Sequence, residues 1–295
     1  MSIQIVTDTT SDIPAALLKT LPITVIPLYI TLNGKSYRDN IDLTRKEFYE
    51  ALPTAHPHPT TAAPSPAQYE QIYDQLVDQG ATTIFSIHIS KSLSAVYQSA
   101  EMAAEQYQRV PVIPIDSGNL TMAEGFIVIK AARAAAEGKS VEEVQAVVDE
   151  AIIRAHAFAK LDTIDYLLRG GRMSSIQYNV VSVLGIKPIL KMNNRTSRME
   201  IARTKSKAFE KVVNVAMEKF PNAELFGITH ANAPEQVNTL IQKLYEAYPD
   251  MPEPLVSGVT PSLGSHVGPG AVCVNWLESS SHVEPEKKGL SRWLP

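Results

Sequence analysis

The sequence predicts an α/β fold in two domains, the first a parallel sheet with helices on both faces and the second a smaller mixed α/β layer. Short apolar runs alternate with helix-length segments through the first 160 of the 295 residues, an order typical of a parallel sheet covered by helices. Beyond that point, two apolar runs face each other across a turn, which indicates an antiparallel pair. We therefore predict domains at 1–160 and 161–279, followed by a peripheral tail at 280–295.

The first domain begins with a strand at 3–7 and a short helix. Pro14 opens that helix, since proline is favoured in the first helical turn. The next apolar run, 23–32, closes with Asn33-Gly34, a strong hairpin signal. Further strands are predicted at 81–89 and 110–115, and helices at 45–52, 66–79, 93–107, 122–137 and from Ser140 to about residue 159.

A proline-rich segment, 53–66, interrupts this alternation. Its five prolines exclude regular structure, because proline lacks a backbone donor and disrupts both helices and sheets. His56 and His58 have no acidic or cysteine partners at metal-ligand spacing, which favours surface positions. Thr60 and Thr61 are plain turn residues in one interpretation. In the other, the stiff loop holds a hydroxyl group in place at little entropic cost.

The second domain is predicted to contain helices and strands in mixed order. Strands are expected at 186–192, 198–202, 223–229, 255–259 and 271–277, and helices at 176–184, 205–220 and 234–248. Residues 263–271 contain three glycines and one proline, which predicts a tight loop between the last two strands. His266 lies in the middle of this loop. His266 is either a turn residue without a binding role or an imidazole that the two flanking strands hold in a fixed position.

Composition and charge exclude several classes of protein. The formal net charge of −4 offers no general attraction to nucleic acid or to an anionic membrane surface. A single cysteine, Cys273, excludes an internal disulfide and fits a reducing compartment. No apolar run is long enough to span a bilayer, and the first residues lack the architecture of a signal peptide. We therefore expect a cytoplasmic protein.

Polar loops follow three of the predicted strands, at 8–12, 90–94 and 116–121. Loops after parallel strands emerge along one edge of the sheet, where ligands bind, so we expect these three to be neighbours. Asp8 and Asp116 end strands, where a carboxylate commonly caps a turn, and together with Asp12 they do not predict a metal site. No phosphate-loop or dinucleotide glycine signature is present. We expect neither a metal nor a cofactor.

Two further motifs are suited to binding an anion. Ser94 ends the loop at a strand-to-helix junction, where the free N–H groups of a first helical turn attract negative charge. Ordinary N-capping by Ser90 or Ser92 is the alternative. Arg172 follows Gly170-Gly171, which lets the guanidinium approach a ligand closely, and arginine suits bidentate contact with a carboxylate or phosphate. A surface arginine in a turn is the alternative here.

Taken together, these loops resemble those of the DegV family, and the similarity extends from residue 3 to about residue 276. The motifs that carry the resemblance occur in the family's order along the chain: Asp8-Thr9-Thr10-Ser11-Asp12-Ile13-Pro14, Thr60-Thr61-Ala62-Ala63-Pro64, Ser92-Leu93-Ser94-Ala95-Val96-Tyr97, Gly170-Gly171-Arg172-Met173-Ser174-Ser175, Ile186-Lys187-Pro188-Ile189-Leu190 and Gly264-Ser265-His266-Val267-Gly268-Pro269-Gly270-Ala271.

The resemblance implies two α/β domains with a ligand tunnel between them. Such proteins bind one long-chain fatty acid, such as palmitate or stearate, and present it to a separate fatty acid kinase. The acyl phosphate formed there connects them to phospholipid metabolism, and the carrier itself has no turnover. Carried over by position, Thr61 and Ser94 bind the carboxylate, and His266 lies beside it. Arg172 serves phosphoryl transfer or kinase docking.

This sequence departs from the family pattern at two places. Ala62-Ala63 replaces Ser-Gln, and Ala95-Val96 replaces Gly-Thr, so a hydroxyl and an amide near the head group are lost. A second hypothesis, independent of these departures, is an enzyme, a small-molecule hydrolase or phosphotransferase that uses His266 and Arg172 on a small anionic substrate. A third is a regulatory or scaffold module with no bound small molecule. Extraction and mass spectrometry of the purified protein distinguish the three.

Overall fold

The computed structural model describes residues 2–173, 185–193 and 196–280. The predicted helix at 176–184, the motif residues Ser174 and Ser175, the turn residue Asn194 and the predicted tail beyond residue 280 lie outside these ranges. Within them, no helix combines the length and the apolar composition that a membrane crossing requires.

The described residues form an α/β fold with three sheets. The strands are β1 (Ile3–Asp8), β2 (Ile23–Ile26), β3 (Tyr29–Leu32), β4 (Lys35–Arg38), β5 (Thr60–Ala62), β6 (Thr83–His88), β7 (Val112–Asp116), β8 (Ala155–Lys160), β9 (Lys187–Asn193), β10 (Thr196–Ala202), β11 (Ala223–His230), β12 (Leu255–Gly258) and β13 (Val272–Glu278). The helices are α1 (Ala15–Leu18), α2 (Arg45–Ala51), α3 (Pro66–Asp78), α4 (Val96–Gln106), α5 (Thr121–Ala136), α6 (Val141–Arg154), α7 (Asp165–Arg169), α8 (Lys205–Lys219), α9 (Pro234–Ala247) and α10 (Pro261–Val267).

The first sheet is parallel throughout, as predicted, with strand order β2-β1-β6-β7. The second sheet is mixed, with order β10-β9-β8-β13-β11-β12. Helix α5 lies between these two sheets and contacts β1 on one side and β8, β11 and β13 on the other. Most of its side chains are buried, including Met122 and Phe126. Because apolar side chains cover more than one face of this helix, it is stabilised by packing against a sheet on each side.

The predicted helix from Ser140 to about residue 159 is too long. Helix α6 ends at Arg154, and the next six residues form β8, which pairs antiparallel with β9 and β13. Alanines favour helix in isolation, but here the two neighbouring strands supply backbone hydrogen bonds on both sides. Ala157 and Ala159 therefore lie on a sheet, where their small side chains leave space above it.

The proline-rich segment contains a strand that the sequence did not predict. Asn33 and Gly34 have φ angles of 51° and 79° and close the β3–β4 hairpin as predicted. On the other edge of β3, the three residues of β5 pair antiparallel with it, and Thr61 is opposite Ile30. The prolines flank β5 rather than interrupt it, so its backbone donors remain available. Thr61 is thus held on a sheet rather than in an irregular loop.

The predicted loop at 263–271 is wrong in its first half, which is helical. Thr260 is extended at the N-cap and Pro261 occupies the first turn of α10, a combination that favours helix initiation. Gly264 lies within this helix because a Cβ there would be 2.5 Å from Tyr49 Oη and 2.8 Å from Phe48 Cε1. Gly268, with φ 71°, ends the helix. The glycine that suggested a loop instead permits close packing of α10 on α2.

Candidate functional site

An apolar channel lies between the parallel sheet and the second sheet. It encloses about 1030 Å³ of space, which includes open solvent at its mouth. Its walls are mostly aliphatic side chains and alanines: Leu93, Leu120, Ala157, Ala159, Leu190 and Met192. The channel exists because β8 presents alanines where larger side chains would fill the gap between the sheets.

The four residues singled out from the sequence all line this channel. They are Thr61, Ser94, Arg172 and His266, which come from four different parts of the chain. Thr61 Oγ1 lies 3.2 Å from His266 Nε2. Ser94 Oγ accepts a hydrogen bond of 3.4 Å from the Val96 N–H at the start of α4. The structure therefore brings hydroxyl groups, an imidazole and a guanidinium to the wall of one apolar channel.

N-capping of the following helix by Ser90 or Ser92, the alternative for this loop, is only partly present in the structure. Ser90 Oγ accepts from the Ser92 N–H at 3.4 Å and is 2.9 Å from Ser92 Oγ, so these two hydroxyls bond each other. Helix α4 begins at Val96, and Ala95 at its N-cap supplies no side-chain hydrogen bond. The half-buried Ser94 is the serine of this loop that faces the channel.

His266 lies in the last turn of α10 with its ring against the Gly170 backbone. A Cβ added at Gly170 would collide with His266 Nδ1, and Nδ1 is buried with no partner among the described residues. Burial, followed by the positive charges of Arg172 and His58, lowers the pKa of His266 to about 3. The imidazole is therefore neutral at physiological pH and can donate one hydrogen bond.

Arg172 is anchored to the chain around it. Its Nη1 donates to the Gly170 carbonyl at 2.8 Å, and its Nε donates to the Leu93 carbonyl at 3.4 Å. The guanidinium is half-buried and lines the channel. Both of these acceptors are carbonyls without charge, so the positive charge of Arg172 is not neutralised by these contacts.

His58 belongs to the same cluster, although its sequence context favoured a surface position. Its Nε2 donates to the Ser265 carbonyl at 2.9 Å, and its ring packs against Tyr166 at 5.8 Å between centroids. His56, by contrast, is exposed. Nothing in the spacing of the proline-rich segment distinguishes the two histidines, because the carbonyl that holds His58 lies 207 residues away.

The three polar loops after the parallel strands are neighbours, as predicted. The Ser90 N–H donates to the Asn119 carbonyl at 2.8 Å, and Thr121 Oγ1 donates to Asp12 Oδ2 at 2.7 Å. Asp8 accepts from the Thr10 N–H and lies 3.0 Å from His88 Nδ1. These carboxylates are thus occupied by protein donors. Over the described ranges, no group of three or more His, Cys, Asp or Glu residues has a metal-binding arrangement.

Burial controls the charge state of this loop cluster. It raises the pKa of Asp12 to about 7, although Arg45 and Thr121 favour the charged form. It also raises the pKa of Glu124 well above its usual range, and the neighbouring Asp8 carboxylate adds to that effect. The pKa of Asp8 itself is lowered, since the contacts with His88 and Thr10 outweigh its burial.

Replacing His266 by glutamine is expected to make the protein less sensitive to acid. Between pH 6.5 and pH 3 the unfolded chain binds a proton at His266 that the folded chain does not, so stability falls as the pH drops through this range. At pH 5 this cost reaches up to about 2 kcal/mol. Urea unfolding measures this cost. The free energy of unfolding should differ less between pH 5.0 and pH 7.5 for His266→Gln than for the wild type.

The exposed His56 supplies the control for this measurement. His56→Gln should keep the wild-type difference between the two pH values. If His266→Gln also keeps it, the imidazole is not buried in its neutral form and the assignment is wrong.

Comparison with known proteins finds relatives that match nearly the whole chain. A family model described as an uncharacterised protein of the DegV family matches residues 2–279. A DegV domain-containing protein from Listeria innocua is 34% identical over 278 residues, which cover 93% of this chain and 98% of the relative.

Solved structures also superpose over most of the chain. One is described as DegV, a fatty acid binding protein from Bacillus subtilis, with a TM-score of 0.85, 30% identity, and coverage of 95% of this chain and 100% of that one. Another, from Thermus thermophilus, is described by its fatty acid binding, with a TM-score of 0.82, 28% identity, and the same coverage.

The four residues that depart from the family pattern lie outside the channel wall. Ala62 and Ala95 are exposed, and Val96 is fully buried in the core. Ala63 packs at the edge of the cluster that contains Leu28. Within the described part of the chain, the channel is lined by residues other than these four.

Proposed function

The chain belongs to the DegV family, and on that basis we propose that it binds one long-chain fatty acid with the acyl chain in the apolar channel. The observation that carries this proposal is the channel itself, because its walls are apolar and its polar residues include hydrogen-bond donors and a cation. The fatty acid binding described for the relatives from Bacillus subtilis and Thermus thermophilus supports it.

Burial of the acyl chain supplies the affinity. Each methylene removed from water contributes about 0.8 kcal/mol, so a 16-carbon chain offers roughly 10 kcal/mol before the costs of association. A ligand of this kind needs a long dry cavity more than it needs many polar contacts. A small polar substrate would gain little from aliphatic walls, which favours the lipid over the hydrolase or phosphotransferase alternative.

The carboxylate must be compensated, since a buried charge without partners is costly. We assign this role to the hydroxyl groups of Thr61 and Ser94 and to His266. The Nε2 edge of His266 faces Thr61, whereas its Nδ1 edge is covered by Gly170. A neutral imidazole protonated at Nε2 therefore donates toward the head group.

Extraction of the purified protein into organic solvent followed by mass spectrometry tests the proposal. We expect about one long-chain fatty acid per protein molecule. Protein that remains empty even after incubation with palmitate, or that retains a small polar compound instead, would contradict it and favour the enzyme. The channel depth sets the range of acyl chain lengths that can bind, so palmitate and stearate are the first acids to compare.

We further propose that the bound acid is presented to a separate fatty acid kinase and that Arg172 acts at this step. Its guanidinium lies on the channel wall, and among the described residues its hydrogen bonds are to neutral carbonyls, so its charge is available to an incoming phosphoryl group. We expect Arg172→Gln to lower the rate of acyl phosphate formation by a bacterial fatty acid kinase at least tenfold. Retention of the fatty acid should change by less than threefold.

Lys139→Gln provides a matched control, because Lys139 is a half-exposed cation just beyond α5 and is paired with Glu137. Its loss should leave both measurements at the wild-type level. An Arg172→Gln protein that supports phosphorylation normally would remove Arg172 from this step while leaving the binding proposal intact.

A further inference from the structure

Helix α10, which carries His266, has no capping group of its own at its start. The side chain of Thr260, the N-cap residue, makes no capping hydrogen bond, and the first turn contains no acidic residue. The first N–H groups of a helix have no partner within it, so they need acceptors from elsewhere. Pro261 removes one of these donors, since proline has no N–H. The N–H groups of Thr260 and Ser262 remain to be satisfied.

Two buried aspartates from the first part of the chain supply the missing acceptors. The Thr260 N–H donates to Asp12 Oδ1 at 2.9 Å, and the Ser262 N–H donates to Asp39 Oδ2 at 3.3 Å. These partners are 248 and 223 positions apart in the sequence. In a capping box, one side chain accepts from the N-cap N–H and another accepts from an N–H of the first turn. Here both acceptors come from a distant part of the chain.

Asp12 also connects α10 to α5. Its Oδ2 accepts a hydrogen bond of 2.7 Å from Oγ1 of Thr121, which is the first residue of α5 and lines the channel. Thr121 has a φ of 50°, a backbone conformation that is rare for a β-branched residue and persists only where its surroundings fix it. Asp12 therefore holds the start of α10 against the helix that lies between the two large sheets.

The position of His266 depends on the placement of α10. The helix has seven residues and is about 10 Å long, so a tilt at its start moves its last turn. The ring has little freedom, because Nε2 lies 3.2 Å from Thr61 Oγ1 and the Nδ1 edge lies against Gly170. A donor and an acceptor about 3.6 Å apart no longer form a hydrogen bond. A shift of a few tenths of an ångström therefore breaks the contact with Thr61.

We propose that Asp12 and Asp39 are positioning residues for His266. By holding the start of α10, they keep His266 Nε2 directed at Thr61 and at the carboxylate of a bound fatty acid. Neither aspartate is among the described residues that line the channel, so they act through the helix and not on the ligand. The partial positive charge at a helix N-terminus favours carboxylates at this place. The inference rests on the proposed function, which places the fatty acid carboxylate at His266.

Titration calorimetry of delipidated protein with dodecanoic acid and with dodecan-1-ol tests this role. The measurement is made at pH 8, above the pKa of about 7 to which burial raises Asp12. The two compounds share an alkyl chain and differ in the head group, so damage to the channel weakens both alike. A displaced His266 weakens the acid more, because hydrogen bonds to a charged group are roughly twice as strong as those between neutral groups.

Asp12→Ala is expected to lower the ratio of acid affinity to alcohol affinity roughly fivefold, by the loss of a hydrogen bond to a charged group. Asp12→Asn should restore the wild-type ratio, since its amide oxygen still accepts from the Thr260 N–H. Asp12→Ala combined with His266→Ala should lower the ratio no more than His266→Ala alone, because both substitutions act through one contact.

Thr260→Pro and Thr260→Val are a matched pair that tests the same contact from the side of α10. Thr260 has a φ of −63°, which proline adopts, so Thr260→Pro removes the N–H donor at a compatible backbone angle. Thr260→Val keeps the N–H and removes a hydroxyl group that has no partner among the described residues. The proline variant should lower the ratio as Asp12→Ala does, and the valine variant should leave it unchanged. This pair provides the test if Asp12→Ala does not fold.

The outcomes separate this inference from the proposed function. If the wild-type protein does not bind dodecanoic acid, the proposed function fails. If it binds the acid, but Asp12→Ala and Thr260→Pro weaken acid and alcohol by the same factor or leave both unchanged, the positioning role is overturned. A further fall in the ratio when Asp12→Ala is added to His266→Ala would also overturn it, because Asp12 would then act on another group.

Discussion

Ala157→Phe is expected to reduce the affinity for hexadecanoic acid at least 100-fold while leaving the protein folded. Ala157 lies on the inward face of β8, opposite Met192 of β9, and lines the channel. A phenyl ring there occupies the space of about four methylenes, each worth about 0.8 kcal/mol of burial. The purified variant should retain shorter acids or none, as measured by extraction and mass spectrometry.

The stability of this variant distinguishes a filled channel from a damaged core. Because the ring enters space that is already open, the melting temperature of the delipidated variant should equal or exceed that of the wild type. Ala247→Phe, at an exposed position of α9, is the matched control for added bulk. An Ala157→Phe protein that still retains hexadecanoic acid at full occupancy would place the acyl chain elsewhere.

Gly170→Ala is expected to weaken fatty acid binding about 10- to 100-fold through His266. The added Cβ collides with His266 Nδ1 and would lie 3.0 Å from the Tyr166 carbonyl. Gly170 has a φ of −77°, which alanine adopts freely, so the effect is steric rather than a result of backbone strain. Displacement of the ring removes a hydrogen bond to a charged group, which typically contributes about 1.5–3 kcal/mol.

A second substitution shows whether the effect passes through His266. In a His266→Ala background, Gly170→Ala should cause no further loss of fatty acid affinity, because the effects of two substitutions that act through one contact do not add. Gly138→Ala is the control for a glycine change: Gly138 has a φ of 76° and open space around it, so alanine strains the end of α5 without touching the channel. Equal loss of affinity in Gly170→Ala and Gly138→Ala would rule out the steric mechanism.

Local sequence signals predicted the parts of the fold that depend on local structure. The apolar runs of β1 and β6, the Asn33-Gly34 hairpin and the helix that follows Thr44 all have short-range causes, and all are present. At the start of α2, the Thr44 hydroxyl accepts a hydrogen bond from the Glu47 N–H, and the Glu47 carboxylate accepts one from the Thr44 N–H. Such elements need no information from distant residues.

The errors occurred where distant residues decide the structure. β8 is a strand because β9 and β13 flank it, and no local feature of its alanines indicates this. α10 contains Gly264 because Tyr49, 215 positions earlier in the printed sequence, leaves no room for a Cβ. The Thr260-Pro261 pair was the local signal for this helix, and the nearby glycines obscured it.

The residues of the candidate site could be predicted from the sequence, but the channel that they line could not. Thr61, Ser94, Arg172 and His266 were singled out by unusual loops and by the family resemblance, and all four line the channel. The channel itself depends on which side chains are small at the place where two sheets face each other. His58 was missed for a related reason, since its partner is a backbone carbonyl that carries no sequence signature.

The position of α5 has a consequence for how this protein unfolds. One helix supplies core contacts to both large sheets, so neither half of the molecule retains its interior once the other is lost. Heating should therefore produce a single cooperative transition with equal calorimetric and van't Hoff enthalpies. A fragment ending at Arg154 would keep α5 but expose its apolar outer side to water, and it should aggregate rather than remain as an independent folding unit.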